Sequence, residues 1–184
     1  MRKEPGNVSD EELVEQIKLG NENAAEELIR RYYSSIFRYC RWHCSGLEKA
    51  EDLTQETFLK LFRNLPHYDG KKKGRTSQKF KSYLYMIANR LCIDESRKQK
   101  IYPLEDEESI VNERNEISRI DDKEEIQYLL SILSSEQREA VILRFGEQLS
   151  FAEIAEITGC NMRTAQSRVR NALAVMRKEQ RYGR

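Results

Sequence analysis

Apolar residues recur at intervals of three and four along nearly the whole chain, and this period is typical of helices with one buried face. Few residues are available for tight turns, since the 184 residues include only 8 Gly and 3 Pro, so a β-sandwich or β-barrel is not expected. We predict an all-α fold with helices over residues 9–19, 24–44, 47–64, 78–98, 123–133, 135–145, 151–158 and 162–180.

Charge is distributed unevenly along the chain, although the formal net charge is only +1. Residues 71–100 contain ten Lys and Arg against two acids, and residues 161–184 contain seven against one. Between these segments, residues 104–125 contain ten acids against three Lys and Arg. The pattern indicates two polyanion-binding domains separated by a segment that avoids the polyanion. The predicted parts are a domain over 1–98, a flexible acidic linker over 99–121 and a domain over 122–184.

The sequence also excludes several classes of function. It has no run of 18 apolar residues and no apolar N-terminal stretch, so we expect no membrane insertion and no signal peptide, and predict a cytoplasmic protein. Four Cys in a chain of this length indicate free thiols of a cytosolic protein and not a framework of disulfides. Cys40, His43 and Cys44 could bind zinc, but no fourth ligand is evident, so neither a metal nor a cofactor is expected. Without a nucleotide-binding loop or a nucleophile–base motif, the protein is not expected to be an enzyme.

Residues 150–180 have the pattern of a helix-turn-helix. Ser150 and Glu153 form a capping box, Gly159 suits a left-handed turn, and Asn161 is a good N-cap for the next helix. That helix is expected to bury Ala165, Val169, Leu173 and Met176. Its other face offers side chains of the kind that contact base edges in a major groove, namely Arg163, Thr164, Gln166, Ser167, Arg168 and Arg170. The alternative is a surface helical hairpin with a solvated basic face.

Four stretches in this order resemble the extracytoplasmic-function (group IV) sigma factors of bacterial RNA polymerase. AEDLTQETFLKLF (50–62) is similar to the polymerase-binding helix of that family, and FKSYLYMIANRLCIDESRKQK (80–100) to its −10 recognition helix. SSEQREAVILRFGEQLSFAEIAEITG (134–159) is similar to the start of its −35-binding domain, and RTAQSRVRNAL (163–173) to its recognition helix. The chain departs from the family at Tyr83, where Trp is usual, and at Arg163 and Ala165, where Gly and Val are favoured.

The resemblance implies a mechanism and a set of partners. The N-terminal domain would dock on the clamp coiled coil of the polymerase β′ subunit and capture the unwound −10 strand of promoter DNA. The C-terminal domain would bind the −35 duplex beside the β flap, while the linker threads towards the active site. Because no regulatory extension follows the second domain, the resemblance also implies control by a cognate anti-sigma factor.

One face of the third helix is the predicted contact with core RNA polymerase. Asp52, Gln55 and Glu56 are spaced three and four residues apart, so they share a helical face, and Leu59 follows one turn later. An acidic and amide face opposite an apolar stripe suits an Arg-rich partner. The predicted polymerase-binding residues are therefore Asp52, Gln55, Glu56 and Leu59. Without the resemblance, an ordinary solvated face would be the preferred interpretation.

The loop over 70–78 and the fourth helix are the predicted contact with −10 DNA. Phosphate attraction combined with aromatic stacking is what the capture of a single strand requires, and this segment carries both basic residues and tyrosines. The predicted −10 residues are Lys71, Lys72, Lys73, Arg75, Tyr83, Asn89, Arg90 and Arg97. The alternatives are that Tyr83 and Tyr85 pack in the core and that the basic loop is a solvated insertion.

Three functions follow from this sequence. The first is a sigma factor that binds core RNA polymerase and directs promoter-specific initiation by recognising −35 and −10 elements, and it is the one we predict. The second is a helix-turn-helix regulator that binds DNA without recruiting core polymerase. The third is a nucleic-acid enzyme, which is kept only for comparison with the other two. The helix over 47–64 separates the first two, since a plain regulator has no need of its acidic face.

Overall fold

The structure, a computed structural model, describes residues 8–44, 46–69, 79–101 and 125–182. Within these ranges it contains helices and no strand, so the all-α prediction is confirmed. The α-helices are α1 (Asp10–Lys18), α2 (Glu22–Arg41), α3 (Leu47–Asn64), α4 (Phe80–Ile101), α5 (125–131), α6 (Ser135–Val141), α7 (Phe151–Thr158) and α8 (Met162–Tyr182). No helix of the described ranges has both the length and the apolar composition needed to span a bilayer.

The chain divides into two compact units, Met1–Glu107 (unit 1) and Glu108–Arg184 (unit 2). The division falls inside the predicted linker over 99–121. Residues 102–124 lie outside the described ranges, so the extended form of that linker stays a prediction. The structure does extend α4 to Ile101, three residues beyond its predicted end. The nearest helix-breaking signal comes only at Pro103, which disfavours helical backbone at the residue before it.

Unit 1 is a bundle of α1–α4 around an aromatic core. The rings of Tyr39 on α2 and Tyr85 on α4 meet edge to face, with centroids 5.5 Å apart. Asn89 donates a hydrogen bond from its amide nitrogen to the Tyr39 hydroxyl, at 3.1 Å, inside the same core. Buried Thr54 and Thr57 on α3 donate to backbone carbonyls one turn earlier, both at 2.7 Å. These hydrogen bonds pair the side chains of Asn89, Thr54 and Thr57 and so avoid the cost of burying them unsatisfied.

A polar cluster fastens α1 to α2. Asp10 accepts hydrogen bonds from the Arg31 guanidinium, at 3.1 Å, and from the Tyr32 hydroxyl. Arg31 also donates to the Val8 carbonyl, at 2.8 Å, so one guanidinium holds the residues just before α1 as well. Burial, together with the Asp10 carboxylate, raises the pKa of Tyr32. Tyr32 therefore stays a neutral donor to Asp10 throughout the physiological pH range.

Unit 2 contains α5–α8, and α6 and α7 each begin with a side-chain cap. Ser134 and Gln137 form a capping box on α6, and Ser150 and Glu153 form one on α7. The structure ends α6 at Val141 and continues through Ile142–Gly146 as a π-helical turn, where the sequence predicted one helix over 135–145. Each of the four helices contributes apolar side chains to the core, through Leu130, Val141, Ile154 and Val169 in chain order. Leu143 of the π-helical turn and Leu149, just before α7, complete it.

Gly159 ends α7 with φ +67°, a left-handed conformation in which a Cβ is strained even though no atom lies within 4 Å of its position. We expect Gly159→Ala to lower the free energy of unfolding of unit 2 by about 1 kcal/mol. Gly159→Asn should cost less, because Asn tolerates this conformation better. Urea unfolding followed by far-UV circular dichroism measures the difference.

The single Trp of the sequence, Trp42, provides the control for this experiment, since it lies in unit 1. Its fluorescence transition should stay unchanged in both variants. An alanine variant that is as stable as the wild-type chain would contradict the assignment of Gly159 as the residue that makes this turn.

Candidate functional surfaces

The four predicted docking residues project from one face of α3. Its opposite face is buried through Leu53, Thr54, Thr57, Phe58 and Leu61. The helical period therefore turns Asp52, Gln55, Glu56 and Leu59 outward. Asp52 and Gln55 are exposed, Glu56 is half-exposed with its carboxylate 3.8 Å from Lys60 Nζ, and Leu59 remains 58% exposed. We call these four residues the docking face.

The docking face forms one wall of a groove between α3 and α4. Leu91, Asp94, Glu95 and Arg97 on α4 line the other wall, and the volume enclosed is about 730 Å³. Lys49 on α3 spans the two helices with an ion pair to Glu95, at 3.1 Å, and the Glu95 side chain is only 12% exposed. The sequence alone did not predict this wall, because its residues come about 40 positions after the docking face and only tertiary packing brings them beside it.

Three of the predicted −10 residues lie seven positions apart on α4. Tyr83 is half-buried, with its ring 4.7 Å from that of Tyr68, whereas Arg90 and Arg97 are exposed. Burial raises the pKa of Tyr83, and the nearby positive charge of Arg90 opposes that shift. Since two heptads are close to four helical turns, these three side chains follow one line along the helix. We call them the α4 line.

The structure corrects the prediction that Asn89 contacts −10 DNA, since such a contact needs an exposed side chain. Asn89 is 4% exposed, and its amide is bound to Tyr39 in the core of unit 1. Tyr85 is fully buried, so the alternative of core packing applies to that residue. Lys71, Lys72, Lys73 and Arg75 lie outside the described residues, and their proposed contact with the −10 strand stays a prediction.

The predicted helix-turn-helix is formed by α7 and α8. Ser150 caps α7, accepting a hydrogen bond from the backbone of Glu153 at 3.3 Å. The backbone then turns at Gly159, and Asn161 caps α8 by accepting from the Thr164 backbone at 2.8 Å. The buried face of α8 contains Ala165, Val169 and Ala172, whereas Leu173 and Met176, which were predicted to be inward, are half-buried.

All six predicted −35 residues line one groove on unit 2, with a volume of about 670 Å³. The exposed ones are Arg163, Gln166 and Arg170, and the half-exposed ones are Thr164, Ser167 and Arg168. The first turn of α6 supplies a second wall through Ser134, Glu136 and Gln137, which sequence reasoning did not find. A hydrogen bond from the backbone of Glu136 and one from the Ser134 hydroxyl lower the pKa of the Glu136 carboxyl, as does the charge of Arg168.

The cysteines considered as zinc ligands make hydrogen bonds within unit 1. The Sγ atom of Cys44 donates to the Cys40 carbonyl, at 3.2 Å, and burial raises the pKa of Cys44 to about 11. Hydrogen bonds involving Cys92 and Thr54 lower the pKa of Cys40. Within the described parts of the chain, no three His, Cys, Asp or Glu residues are grouped so as to hold a metal ion.

Comparison with known proteins gives matches in both units. Residues 28–101 match the family described as Sigma-70 region 2, and residues 123–176 the family described as Sigma-70, region 4. RNA polymerase sigma factor SigV of Bacillus subtilis (strain 168) is 32% identical over 148 residues, covering 79% of this chain and 82% of SigV. ECF RNA polymerase sigma factor SigW of the same organism is 26% identical over 182 residues, covering 90% of this chain and 94% of SigW.

A solved structure is similar in fold. It contains the sigma factor RpoE in complex with the anti-sigma factor NepR from Bartonella quintana. The TM-score is 0.66 at 23% sequence identity, over 86% of this chain and 98% of the other. At this identity the likeness concerns the fold alone, and it agrees with the helical architecture of both units.

The core position of Asn89 has a measurable consequence. We expect Asn89→Ala to lower the free energy of unfolding of unit 1 by about 1–3 kcal/mol, because it removes the hydrogen bond to Tyr39 and leaves a gap in the core. Urea unfolding followed by Trp42 fluorescence measures this loss. The neighbouring variant Arg90→Ala, on the exposed side of α4, should stay within about 0.5 kcal/mol of the wild type. Equal stability of the two variants would place Asn89 at the surface after all.

Proposed function

The chain belongs to the extracytoplasmic-function (group IV) sigma factors of bacterial RNA polymerase, and from this membership we propose a role in transcription initiation for each of its two units. Sigma factors are non-catalytic factors that bind core RNA polymerase and direct transcription from promoters. We propose that unit 1 binds polymerase and captures the −10 strand, and that unit 2 binds the −35 duplex. The match of residues 28–101 to region 2 carries this proposal, because a regulator acting only through a helix-turn-helix has no need of that region.

The docking face is our proposed contact with the β′ clamp coiled coil. Leu59 adds an exposed apolar side chain between charged neighbours, and its burial against a partner would favour binding. The carboxylates of Asp52 and Glu56 complement an Arg-rich partner and fix its register. The Lys49–Glu95 ion pair supports the face, since it joins the N-terminal half of α3 to the C-terminal half of α4.

The α4 line is our proposed contact with the −10 strand, together with the basic residues over 71–75. Arg90 and Arg97 supply positive charge along the helix, and the half-exposed ring of Tyr83 is available for stacking. Charge that follows a strand, combined with an aromatic ring, suits single-stranded DNA. Asn89 is omitted from this proposal, because its amide is engaged in the core.

The groove between α6 and α8 is our proposed contact with the −35 duplex. Arg163, Gln166 and Arg170 lie at the exposed edge of the recognition helix, where side chains of this type pair with base edges. Arg168 is half-exposed and faces the α6 wall, a position better suited to a phosphate contact. Arg177, further along α8 and outside the groove, is proposed to contact phosphate as well.

We further propose that a separate anti-sigma factor controls this protein. Membership of the family implies such a partner, and the RpoE structure that is similar in fold is itself a complex with an anti-sigma factor. The β flap of the polymerase is proposed as the neighbour of unit 2 on the same ground of family membership.

Run-off transcription tests the proposed function directly. Core RNA polymerase should produce specific transcripts from genomic fragments only when this chain is added, and the start sites should share −35 and −10 sequences. A chain that binds DNA fragments but leaves core polymerase inactive on all of them would favour the helix-turn-helix regulator instead.

Charge reversal on the docking face should weaken core polymerase binding. We expect Asp52→Lys combined with Glu56→Lys to lower the affinity at least about tenfold, equivalent to about 1.4 kcal/mol, because like charges then face the Arg-rich partner. The matched control is Glu22→Lys with Glu26→Lys, two exposed acids of α2 with the same spacing that lie outside the groove. Fluorescence anisotropy of the labelled chain with core polymerase measures both. Equal affinity of the two folded variants would remove the docking face from the interface.

Substitutions in the recognition helix should separate base contacts from phosphate contacts. We expect Arg163→Ala and Arg170→Ala each to cost about 1–3 kcal/mol on the preferred −35 sequence and to relax specificity at one position. Arg177→Ala should weaken binding to every sequence alike and flatten the salt dependence. Binding to a set of duplexes with single −35 changes distinguishes these patterns. If Arg163→Ala and Arg170→Ala weaken all duplexes equally, neither residue contacts bases.

A further inference from the structure

A lysine of α1 is bound to a residue 50 positions later in unit 1. Lys18, in the last turn of α1, donates a hydrogen bond from its ammonium to the Tyr68 carbonyl, at 2.8 Å. The same ammonium lies 6.0 Å from the centroid of the Tyr68 ring and forms an ion pair with Glu15, at 3.0 Å. Because the Lys18 side chain is only 25% exposed, its charge is partly desolvated, and these three contacts compensate for that loss.

Tyr68 in turn packs behind the aromatic residue of the α4 line. Its ring lies 4.7 Å from that of Tyr83, with the two planes 31° apart, and 6.2 Å from that of Phe80, edge to face. Tyr68 is buried and Tyr83 is half-buried, so the pair consists of an inner and an outer ring. Lys18 holds the inner ring through its backbone and its face, and the inner ring limits the positions that the outer ring can take.

The attachment of α1 to the bundle has other sources. Leu13 and Val14 are buried, and Asp10 accepts a hydrogen bond from Arg31 on α2. The bond from Lys18 is different in kind, because it fixes one backbone carbonyl beside the α4 line rather than a helix against a helix. Its effect is therefore expected in the placement of the two tyrosine rings.

We propose that Lys18 is a positioning residue for the capture of the −10 strand. By holding Tyr68, it keeps the ring of Tyr83 in an orientation in which an unpaired base of the strand stacks on it. A ring whose movement is already restricted loses less conformational entropy when the base binds, so the stacked complex is more stable. Lys18 acts through the two tyrosines and does not itself contact DNA. This proposal rests on the proposed contact between the α4 line and the −10 strand.

The test uses the full chain bound to core RNA polymerase and two labelled promoter fragments. Both fragments come from a promoter found by run-off transcription and have an unpaired −10 segment. One keeps the bases of the −10 non-template strand, and the other has abasic sites there. We expect Lys18→Gln to lower the affinity for the intact fragment about three- to tenfold, as part of the stacking energy of one base is lost. The affinity for the abasic fragment should change less than about twofold, so the ratio of the two falls.

Further variants separate positioning from charge. Lys18→Arg keeps a cationic donor and should restore most of the ratio. The matched control is Arg30→Gln, which also removes one positive charge and one ion pair to an acid three residues away, Glu27, on α2. It should leave the ratio unchanged. In a Tyr83→Leu background, Lys18→Gln should change the ratio less than about twofold, because the ring that it positions is already absent.

Two readouts show that the variants remain folded and that Lys18 does not contact phosphate. The affinity for core polymerase and the Trp42 fluorescence transition should stay close to those of the wild type. The slope of log K against log salt should also be unchanged, whereas the loss of one phosphate contact would flatten it by about 0.7. If the glutamine variant does not fold, Lys18→Met, which keeps the aliphatic part of the side chain, takes its place in the same test.

The outcomes are distinguishable. A wild-type complex that binds the intact and the abasic fragments equally contradicts the proposed capture of the −10 strand by unit 1. If the wild type prefers the intact fragment but Lys18→Gln keeps that preference, only the role of Lys18 is overturned. Equal losses on both fragments with a flatter salt slope, or an undiminished effect in the Tyr83→Leu background, would overturn that role as well.

Discussion

The surfaces proposed to bind polymerase and the −35 duplex both depend on the burial of the opposite face of the same helix. On α3, the buried set that includes Leu53, Phe58 and Leu61 fixes the rotation of the helix about its axis. On α8, Ala165, Val169 and Ala172 do the same. Because the helical period is constant, a rotation fixed by the core also fixes which polar residues project outward. A change in core packing would therefore turn the docking face or the recognition face away from its partner.

This coupling explains why the faces of α3 and α8 could be predicted from the sequence and that of α4 could not. In α3 and α8 the charged residues stay on the outer face, and the buried positions hold apolar residues or threonines that bond within their own helix. In α4 the core includes Ser82, Tyr85 and Asn89, all of which carry polar groups, so composition does not distinguish the inner face. The partner of Asn89 is Tyr39, 50 residues earlier, and a contact at that separation leaves no local pattern.

The residues that could not be predicted from the sequence are those that a second helix brings beside each outer face. The second wall of each groove comes from another helix, through Glu95 on α4 in unit 1 and through Glu136 on α6 in unit 2. Each of these acids looks like an ordinary solvated charge in its own segment. Only the tertiary fold brings Glu95 to Lys49 and brings Glu136 to the groove of Arg168. Helix type and outward face are local properties, whereas the neighbours of a face are not.

An acid in the groove proposed to bind the −35 duplex is compatible with the function, because unit 2 is one of two units in the chain. When two DNA-binding units belong to one chain, the second contact becomes intramolecular, so each unit needs only moderate affinity. Phosphate attraction carries no sequence information, and non-specific sites far outnumber promoters in a genome. Occupancy of the many other sites depends on phosphate attraction alone, whereas at a promoter polymerase docking and the proposed base contacts of α8 add to it.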